Sequence, residues 1–480
     1  YVVNGSVVLY VIVMLATFVV YGSATMLWYW WLIGFVCVAG FFYGSPHSVR
    51  RMRHFSEKKF EKKLYWTAYG VRLFMVIVSY FLFKLLIDDK LDFEPADVEW
   101  YDEVARAIAD GVYDGKLNVW QNFEQAVGVG YVELADSGYP IYLGIVYTFV
   151  GKSVFLARVV QSFWSAFTCL FIYRIARRHF DETTARLAGI LCAWMPGMAI
   201  YAGLHLKETV MTFLLVWFVE RADALMQSRD FSFKTISAMS LIGLSLFLFR
   251  TVLGAVAFLA FAMALVFSSR KIIKGGKRAL LIILSIGFVA VAFSGRIKEE
   301  VMQVVNTDAM AQQRVSMQHR YGSGKGGNMG NKLVDNVGAA VFAPLIFTIP
   351  FPTMIQTEGQ DQKRYLNGAC YVKNVMSGLV LMAMFMMLFK GKLRSLDAEW
   401  RKHVLPLATL LGYLLVLVFS QFAHSERFHQ PNLPFLMLFA AYGVTHYKPK
   451  HRWMWSLWVV AVFVMCMAWS YVKAKGRGMI

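Results

Sequence analysis

Acidic side chains are concentrated in one polar segment that lies between two long apolar runs. Residues 88–153 contain Asp92, Glu94, Asp97, Glu99, Asp102, Glu103 and Asp110 and are too polar to cross a membrane. A carboxylate in such a segment can act as a general base that removes a proton from an attacking hydroxyl group. Simpler roles are also open. Asp97 could cap a helix, Asp102 could pair with Arg106 four residues later, and Asp136 before Ser-Gly could form a turn.

Two other short segments combine cations with polar side chains at the ends of apolar runs. One contains His205, Lys207 and Glu208, and the other contains Arg427 and His429. Arginine can hold a phosphate through two parallel hydrogen bonds, which lysine cannot copy. The alternatives are that Lys207 and Glu208 serve only the helix end and that Arg427 binds lipid headgroups. Arg250 is a weaker candidate of the same kind.

The elements that must position these residues are membrane helices. Hydrophobic residues make up 58% of the 480, charged residues only 16%, and aromatic residues 16%. Soluble domains are usually about a quarter charged. This excess of apolar residues needs lipid as its solvent, and Trp and Tyr are typical anchors at membrane interfaces.

Apolar runs of about 20 residues predict spanning helices. The predicted spans are 6–21, 25–44, 66–87, 154–175, 184–203, 208–225, 234–249, 251–268, 279–295, 370–390, 404–422, 431–446 and 453–471. Segment 340–356 contains three prolines and predicts a broken or re-entrant stretch, tolerated only where protein covers its backbone. We therefore expect an all-α polytopic membrane protein with about 13 transmembrane helices and an outside region that contains interfacial helices.

The basic segments predict the orientation of these helices. Segments 45–65, 177–186, 269–278, 390–402 and 448–452 are rich in Lys and Arg and are placed in the cytoplasm by the positive-inside rule. Segments 88–153 and 296–340 then lie outside. The basic C-terminal residues KAKGR violate the rule in this arrangement, so the position of the last helix is not fixed by the sequence.

The outside segments have recognisable local patterns. Residues 97–111 predict an amphipathic helix, because Val98, Tyr101, Val104, Ala105 and Ile108 recur at helical spacing. Residues 139–150 are apolar but too short to span, and they predict an interfacial helix that begins after Pro140.

Other patterns in the chain exclude several classes of function. The net charge of +19 follows from the basic loops, so we do not expect nucleic-acid binding. The five cysteines lie in or beside apolar runs and form no CxxC pair, which is typical of small core residues. The glycine-rich stretch 321–332 lacks Walker spacing and predicts a loop without nucleotide binding.

Several stretches, taken in order, resemble the GT-C superfamily of polyprenyl-phosphate-sugar-dependent glycosyltransferases. They are the acidic DVEWYDEVARAIADG (97–111), the long run that begins SGYPIYLGIVYTF at residue 137 and continues to 215, and RFHQPNLPFLMLFAAYGV (427–444). Within this superfamily, the sequence is most similar to the protein O-mannosyltransferase-like and aminoarabinose-transferase-like branches. The resemblance is good over 91–250 and 420–445 and weak over 296–400, and the first two spans look like an addition.

The resemblance implies both a reaction and a site. Asp97 stands where the family has its catalytic Asp, although the following acidic residue of the family is replaced by Val98. Glu208 is implied in orienting the acceptor, and Glu99, Asp102, Asp136 and Arg250 are secondary candidates. The implied cations at the donor phosphate are Arg427, His429, Lys207 and His205. A cation that faces a leaving phosphate stabilises the charge that develops there.

The implied partners are a polyprenyl-phosphate sugar, an acceptor that is a lipid, a glycan or a protein, and the membrane lipids. No cofactor is required, and a requirement for Mg²⁺ or Mn²⁺ is left open. The implied location is the bacterial inner membrane, with the site facing outside and a role in cell-envelope assembly.

The predicted organisation has four parts. They are a hairpin and basic loop at 1–65, a core at 66–295 with the acidic outside loop, a second outside loop at 296–369, and a C-terminal membrane region at 370–480.

Two other functions compete with this prediction. A polysaccharide polymerase or ligase with a pyrophosphate-linked donor would need outside arginines but no acidic first loop. A transporter of lipid-linked glycans would need ionisable residues in mid-span or paired broken helices in two related halves. We find no internal repeat, and the charges lie mostly at the ends of spans.

Overall fold

The computed structural model describes residues 2–86, 95–128, 134–228, 232–267, 275–292, 347–356, 361–389, 399–419 and 425–475. Within these ranges the chain is almost wholly helical, and its β structure is one isolated bridge between Thr25 and Ile355. The predicted all-α class is confirmed. The α-helices in chain order are α1 Val2–Tyr21, α2 Trp28–Met52, α3 Glu57–Leu86, α4 Pro95–Tyr113, α5 Val119–Val127, α6 Leu134–Val150, α7 Val154–His179, α8 Glu182–Trp194, α9 Pro196–Ala202, α10 Glu208–Ser228, α11 Phe233–Phe249, α12 Thr251–Phe267, α13 Gly275–Ala292, α14 Asn367–Phe389, α15 Val404–Phe419, α16 Glu426–His429, α17 Leu433–Thr445 and α18 Arg452–Lys475.

Every predicted span coincides with a helix, but the helices differ in length. Among the described residues, 7 helices are long and apolar enough to cross a membrane, namely α1, α2, α3, α7, α14, α15 and α18, and α8 with α9 forms an eighth as a bent pair. Helices α11 and α12 and the apolar part of α13 are shorter. The chain is a multi-pass membrane protein, while the figure of 13 spans stays a prediction.

The loop between α2 and α3 is shorter than the basic segment 45–65 that was predicted to form it. Helix α2 continues to Met52 and α3 begins at Glu57, so the boundary predicted at residues 65 and 66 falls inside α3. Long Lys and Arg side chains can extend from a helix end toward water, so helices continue past the apolar layer. Most of the charges at 45–65 therefore lie on helix ends.

The bent pair α8–α9 is stabilised by a buried arginine of α3. Pro196 lacks the N–H that would bond the carbonyl of Cys192, and the two helices meet at a 47° bend. Arg72 donates to the carbonyl oxygens of Cys192 at 3.1 Å and Ala193 at 3.0 Å, and also to Ser165 Oγ at 2.7 Å. Its guanidinium thus supplies the donors that the proline break removes, and the bend fixes where residues 203–208 lie.

The proline-containing stretch 340–356 contains no α-helix in its described part, residues 347–356. Its carbonyl groups accept hydrogen bonds from α14: Phe347 from Ser377, Ile349 from Lys373 and Pro350 from Asn374. The expectation that protein covers this backbone is confirmed for these residues. The glycine-rich stretch 321–332 and most of 296–369 lie outside the described residues.

Helices α4, α5 and α6 form a layer over one end of the bundle. The apolar stripe predicted for α4 is confirmed, because Val98, Tyr101, Val104, Ala105 and Ile108 are all buried. Helix α4 packs on α6, which packs on α11 and α7. Gly144 lets α6 approach Ile108, and Gly138 lies against Leu248 and Phe249 at the end of α11.

The starts of two helices in this layer differ from the prediction. Helix α6 begins at Leu134, ahead of Pro140, so the prediction that it begins after Pro140 is wrong. The close approach of Gly138 to α11 holds this first turn in place. Helix α4 begins at Pro95, so Asp97 is the third helical residue, inside the first turn. The alternative that Asp97 caps the helix is therefore wrong, although its charge still favours the positive end of the helix dipole.

Candidate active site

A polar cleft of about 470 Å³ opens where five segments of the chain meet. These segments are the first turns of α4 and α6, the turn before α10, the junction of α11 and α12, and α16. The lining residues are Asp97, Trp100, Tyr101, Asp136, Lys207, Arg250, Arg427 and Phe428. Five side chains predicted from sequence for the site, Asp97, Asp136, Lys207, Arg250 and Arg427, thus share one cavity, although they are distant in the chain.

Arg427 bridges two carboxylates at the wall of this cleft. Its Nε donates to Glu208 Oε1 at 2.6 Å, and its Nη1 donates to Asp97 Oδ2. Burial alone would lower the pKa of Arg427, but Glu208, Tyr101 and Asp97 raise it well above its ordinary value. The guanidinium is therefore a permanent cation. Asp97 is 47% exposed, whereas Glu208 is fully buried.

Lys207 and Asp136 form a second ion pair on the cleft. Lys207 Nζ donates to Asp136 Oδ1 from the turn that precedes α10. Burial and the neighbouring guanidinium of Arg250 lower the pKa of Lys207, and Asp136 opposes this shift. The predicted turn role of Asp136 does not apply, because it lies in the first turn of α6.

Arg250 lies between α11 and α12 and is held by aromatic side chains. Its Nη1 donates to Tyr413 Oη at 3.1 Å, and its guanidinium carbon lies 4.5 Å from the ring centroid of Phe428. A guanidinium over an aromatic ring gains electrostatic attraction from the ring and a fixed plane. Its charge therefore faces the cleft in a defined orientation.

A buried cluster behind the cleft ties together the elements that carry Asp97 and Lys207. Arg106 donates to Asp102 at 2.6 Å, which confirms the predicted i,i+4 pair, and Tyr147 donates to the other oxygen of Asp102. His205 lies 3.3 Å from Tyr147 Oη. Burial alone would raise the pKa of Asp102, but hydrogen bonds with His205, Arg106 and Tyr147 hold it at about 2. The cluster connects α4, α6 and the turn before α10.

Five predicted site residues do not line the cleft, and Asp102 of the cluster just described is one of them. Glu208 is buried behind Arg427, a position that suits a residue holding that arginine better than one touching an acceptor. His205 is buried in the Asp102 cluster, and His429 is buried in α16. Glu99 is exposed on α4.

The aromatic wall of the cleft was not predicted. Trp100, Tyr101 and Phe428 line it, and Tyr413 supports Arg250 from α15. The sequence offers a weak signal for three of them, because Trp100, Tyr101 and Phe428 each lie within three residues of a predicted site residue. Tyr413 lies in an apolar run, where nothing marks it.

Within the described ranges, no three His, Cys, Asp or Glu side chains are close enough to hold a metal ion together. Asp97 and Glu208 already share the guanidinium of Arg427.

The arrangement suits a displacement reaction at a membrane surface. An accessible carboxylate, Asp97, can accept a proton, and fixed cations can stabilise a leaving anion. The aromatic side chains offer a flat apolar face of the kind that stacks on sugars and lipids.

Residues 369–480 match the model of the Alg9-like mannosyltransferase family. This range includes the RFHQPNLPF motif, which resembles the late motif of GT-C enzymes. The predicted resemblance to GT-C glycosyltransferases is confirmed by this independent match, while the particular branch is not. No curated protein matches the sequence significantly.

Two solved structures are similar to this chain. One is the Archaeoglobus fulgidus oligosaccharyltransferase tethered with an acceptor peptide, with 15% identity, a TM-score of 0.36 and coverage of 86% of this chain and 55% of that one. The other is archaeal oligosaccharyltransferase AglB from Archaeoglobus fulgidus in complex with an inhibitory peptide and a dolichol-phosphate, with 13% identity, a TM-score of 0.38 and coverage of 86% and 56%. This chain therefore spans little more than half the length of either.

Proposed function

We propose that this protein is a membrane glycosyltransferase that moves a sugar from a polyprenyl-phosphate donor to an acceptor hydroxyl at the outer face of the membrane. The observation that carries the proposal is the single cleft that combines an accessible carboxylate, Asp97, with cations held in fixed positions. The GT-C resemblance, supported by the family match, gives the donor its class.

The reaction is a displacement at the anomeric carbon of the donor sugar. The acceptor oxygen forms a bond to that carbon, and the bond from the carbon to the phosphate oxygen breaks. The acceptor proton passes to Asp97. The polyprenyl phosphate leaves with the electron pair of the broken bond, and the cations of the cleft stabilise its added charge.

Each neighbouring residue has a role in this proposal. Glu208 and Arg427 position Asp97, and Lys207 with Arg250 supplies positive charge in the same cleft. Trp100 and Phe428 border the sugar. The cleft lies at the end of the bundle where α7 and α10 begin, so a donor can keep its lipid tail in the bilayer while its sugar reaches Asp97.

The direct test uses purified wild-type protein in nanodiscs with a radiolabelled polyprenyl-phosphate sugar and a native membrane extract as the acceptor source. We expect labelled product together with a stoichiometric release of polyprenyl phosphate. A parallel reaction supplies a polyprenyl-pyrophosphate glycan instead. Transfer only from the pyrophosphate donor would favour the polymerase or ligase alternative, and movement of an intact donor across the bilayer without product would favour a transporter.

The outer-face part of the proposal has a separate test. Lys116 lies in the exposed turn between α4 and α5, and His54 lies in the exposed turn between α2 and α3. We expect a membrane-impermeant thiol reagent to label Lys116→Cys in intact cells and to label His54→Cys only after the membrane is opened. The reverse pattern would invert the proposed topology.

A further inference from the structure

The charged side chains at the cleft form two groups whose formal charges differ in sign. Counted at their usual charges, Arg427 with its partners Asp97 and buried Glu208 sums to one negative charge, and Lys207, Asp136 and Arg250 sum to one positive charge. A substrate with an anionic end is therefore oriented by the cleft, with that end toward the second group.

The three cations of the cleft differ in what already holds them. Arg427 donates to two carboxylates, and Lys207 donates to Asp136. Arg250 donates to the neutral hydroxyl of Tyr413 and packs on Phe428, and it has no carboxylate partner among the residues that the structure describes. Arg250 is thus the cation of the cleft that an incoming anion reaches without displacing a carboxylate.

The hydrogen-bonding geometry also favours Arg250 over Arg427 as the residue that an anion binds. Arg427 uses Nε and Nη1 for Glu208 and Asp97, so a phosphate at this guanidinium would share its positive charge with two carboxylates. Arg250 uses Nη1 for Tyr413, and the Phe428 ring fixes its plane. A guanidinium held in one plane loses less side-chain entropy when it binds a phosphate.

We propose that Arg250 is the main contact of the donor phosphate and that Arg427 is a positioning residue that holds Asp97. This division of roles rests on the proposed function. A phosphate at Arg250 keeps the donor in the cleft that Asp97 also lines. Lys207, on the same cleft, is already paired with Asp136.

The first experiment measures binding without catalysis. Native mass spectrometry or fluorescence titration gives the affinity of nanodisc-embedded protein for undecaprenyl phosphate, with undecaprenol, which lacks the phosphate, as the matched ligand. We expect Arg250→Ala to weaken undecaprenyl phosphate binding about ten- to a hundredfold, as loss of charge-assisted bonds does, and to leave undecaprenol binding unchanged. Lys152→Ala is the matched control variant, because Lys152 is a cation of the same outer layer that pairs with Asp110 away from the cleft.

The second experiment separates binding from turnover. We expect Arg250→Lys to raise the donor KM about three- to tenfold and to change kcat little. We expect Arg427→Lys, which keeps a cation beside buried Glu208, to lower kcat about tenfold or more with a nearly constant donor KM. Tyr413→Phe keeps the charge of Arg250 and removes the bond that orients it, so the donor KM should rise only a few-fold. This variant keeps the proposal testable if Arg250→Ala does not fold.

The outcomes distinguish this inference from the proposed function. Wild-type affinity for undecaprenyl phosphate in Arg250→Ala, or an equal loss in Arg250→Lys and Arg427→Lys, overturns the role of Arg250 while transfer by the wild type stands. Phosphate-dependent binding that needs Arg250 without any sugar transfer overturns the function but keeps the anion site. A wild-type protein that binds undecaprenyl phosphate no better than undecaprenol overturns the role of Arg250.

Discussion

The same arrangement of charges occurs at two places along α10 with different surroundings. At the start of α10, Arg427 bridges Glu208 and Asp97. Toward its other end, Arg178 bridges Glu220 and Asp223, a group that we call the inner cluster. Glu208 and Glu220 lie 12 residues apart on this helix, which corresponds to a separation of about 18 Å along its axis.

The two bridges differ in the exposure of their carboxylates. In the inner cluster, Glu220 is 0% exposed and Asp223 is 1% exposed, and His179 Nε2 also lies 3.0 Å from Asp223. At the cleft, Asp97 is 47% exposed and faces a cavity. Residue types alone do not distinguish a structural ion cluster from a reactive one. The exposure of the carboxylate distinguishes them, because only an accessible carboxylate can receive a proton from a substrate.

Asp97→Asn gives the largest effect expected from this comparison. It removes the proposed base and keeps its size, so kcat should fall about 10²- to 10⁴-fold, as general-base loss typically does. The thermal unfolding midpoint and undecaprenyl phosphate binding should stay near wild type, because Asp97 is half exposed. Sugar transfer is measured with the radiolabelled donor. Near-normal turnover by this variant would move the base to another residue, with Glu99, Asp102 and Glu208 tested next.

Glu220→Gln in the inner cluster should behave in the opposite way. It removes one of the two carboxylates that pair with Arg178, and loss of a charge-assisted hydrogen bond costs about 1.5–3 kcal/mol while Asp223 remains as a partner. Thermal unfolding in detergent should show the loss, whereas kcat per folded molecule should stay near wild type. Glu124→Gln on exposed α5 is the control, with a change within about 0.5 kcal/mol. A drop in kcat with unchanged stability would contradict the structural role of the inner cluster.

A change of pH should produce the smallest effect, and it acts through His205 beside the cleft. The groups that face His205 are Asp102 and Arg106 on α4, Tyr147 on α6, and Arg158 on α7. Burial lowers the pKa of His205, and its hydrogen bond with Asp102 only partly opposes this shift. At His205 the folded protein therefore binds fewer protons than the unfolded chain near pH 6. The contribution of this group to stability is fully present above the unfolded pKa of about 6.5 and is lost as the pH falls below it.

The measurement is the thermal midpoint of wild type and His205→Gln at pH 7.5 and pH 5.5. We expect the wild type to lose about 1 kcal/mol more than the variant over this interval, since one pH unit is worth at most about 1.4 kcal/mol for one proton. Parallel losses in both proteins would show that His205 does not titrate in this range.

The sequence predicted the helices better than it predicted the contacts between them. Apolar runs and the helical spacing on α4 depend on local periodicity, and both are confirmed. The start of α6 was missed because a proline normally favours the first turn, whereas the packing of Gly138 against α11 decides it here. Helix starts of this kind depend on tertiary contacts that no local pattern records.

The candidate site shows the same limit. Asp97, Lys207 and Arg427 were predicted from their chemistry and from a family resemblance, and the structure brings them to one cleft. The support of Arg250 by Tyr413 joins residues 163 positions apart, so only the fold reveals it. Glu208 was expected to touch an acceptor, and its burial could not be predicted because a charged residue at a span boundary is usually exposed.

Arg72 has a consequence for how the chain is made. A charged side chain near the middle of an apolar helix costs about 2.5–3.5 kcal/mol when that helix enters the bilayer alone. The side chains and carbonyls that satisfy Arg72 beyond its own helix belong to Ser165, Cys169, Cys192 and Ala193, which are synthesised roughly a hundred residues later. During translation α3 therefore leaves the ribosome before its partners exist. We expect glycosylation-site mapping to show inefficient insertion of α3 in chains that stop before residue 160 and full insertion in chains that extend past 200, so membrane integration of this helix awaits α7 and α8.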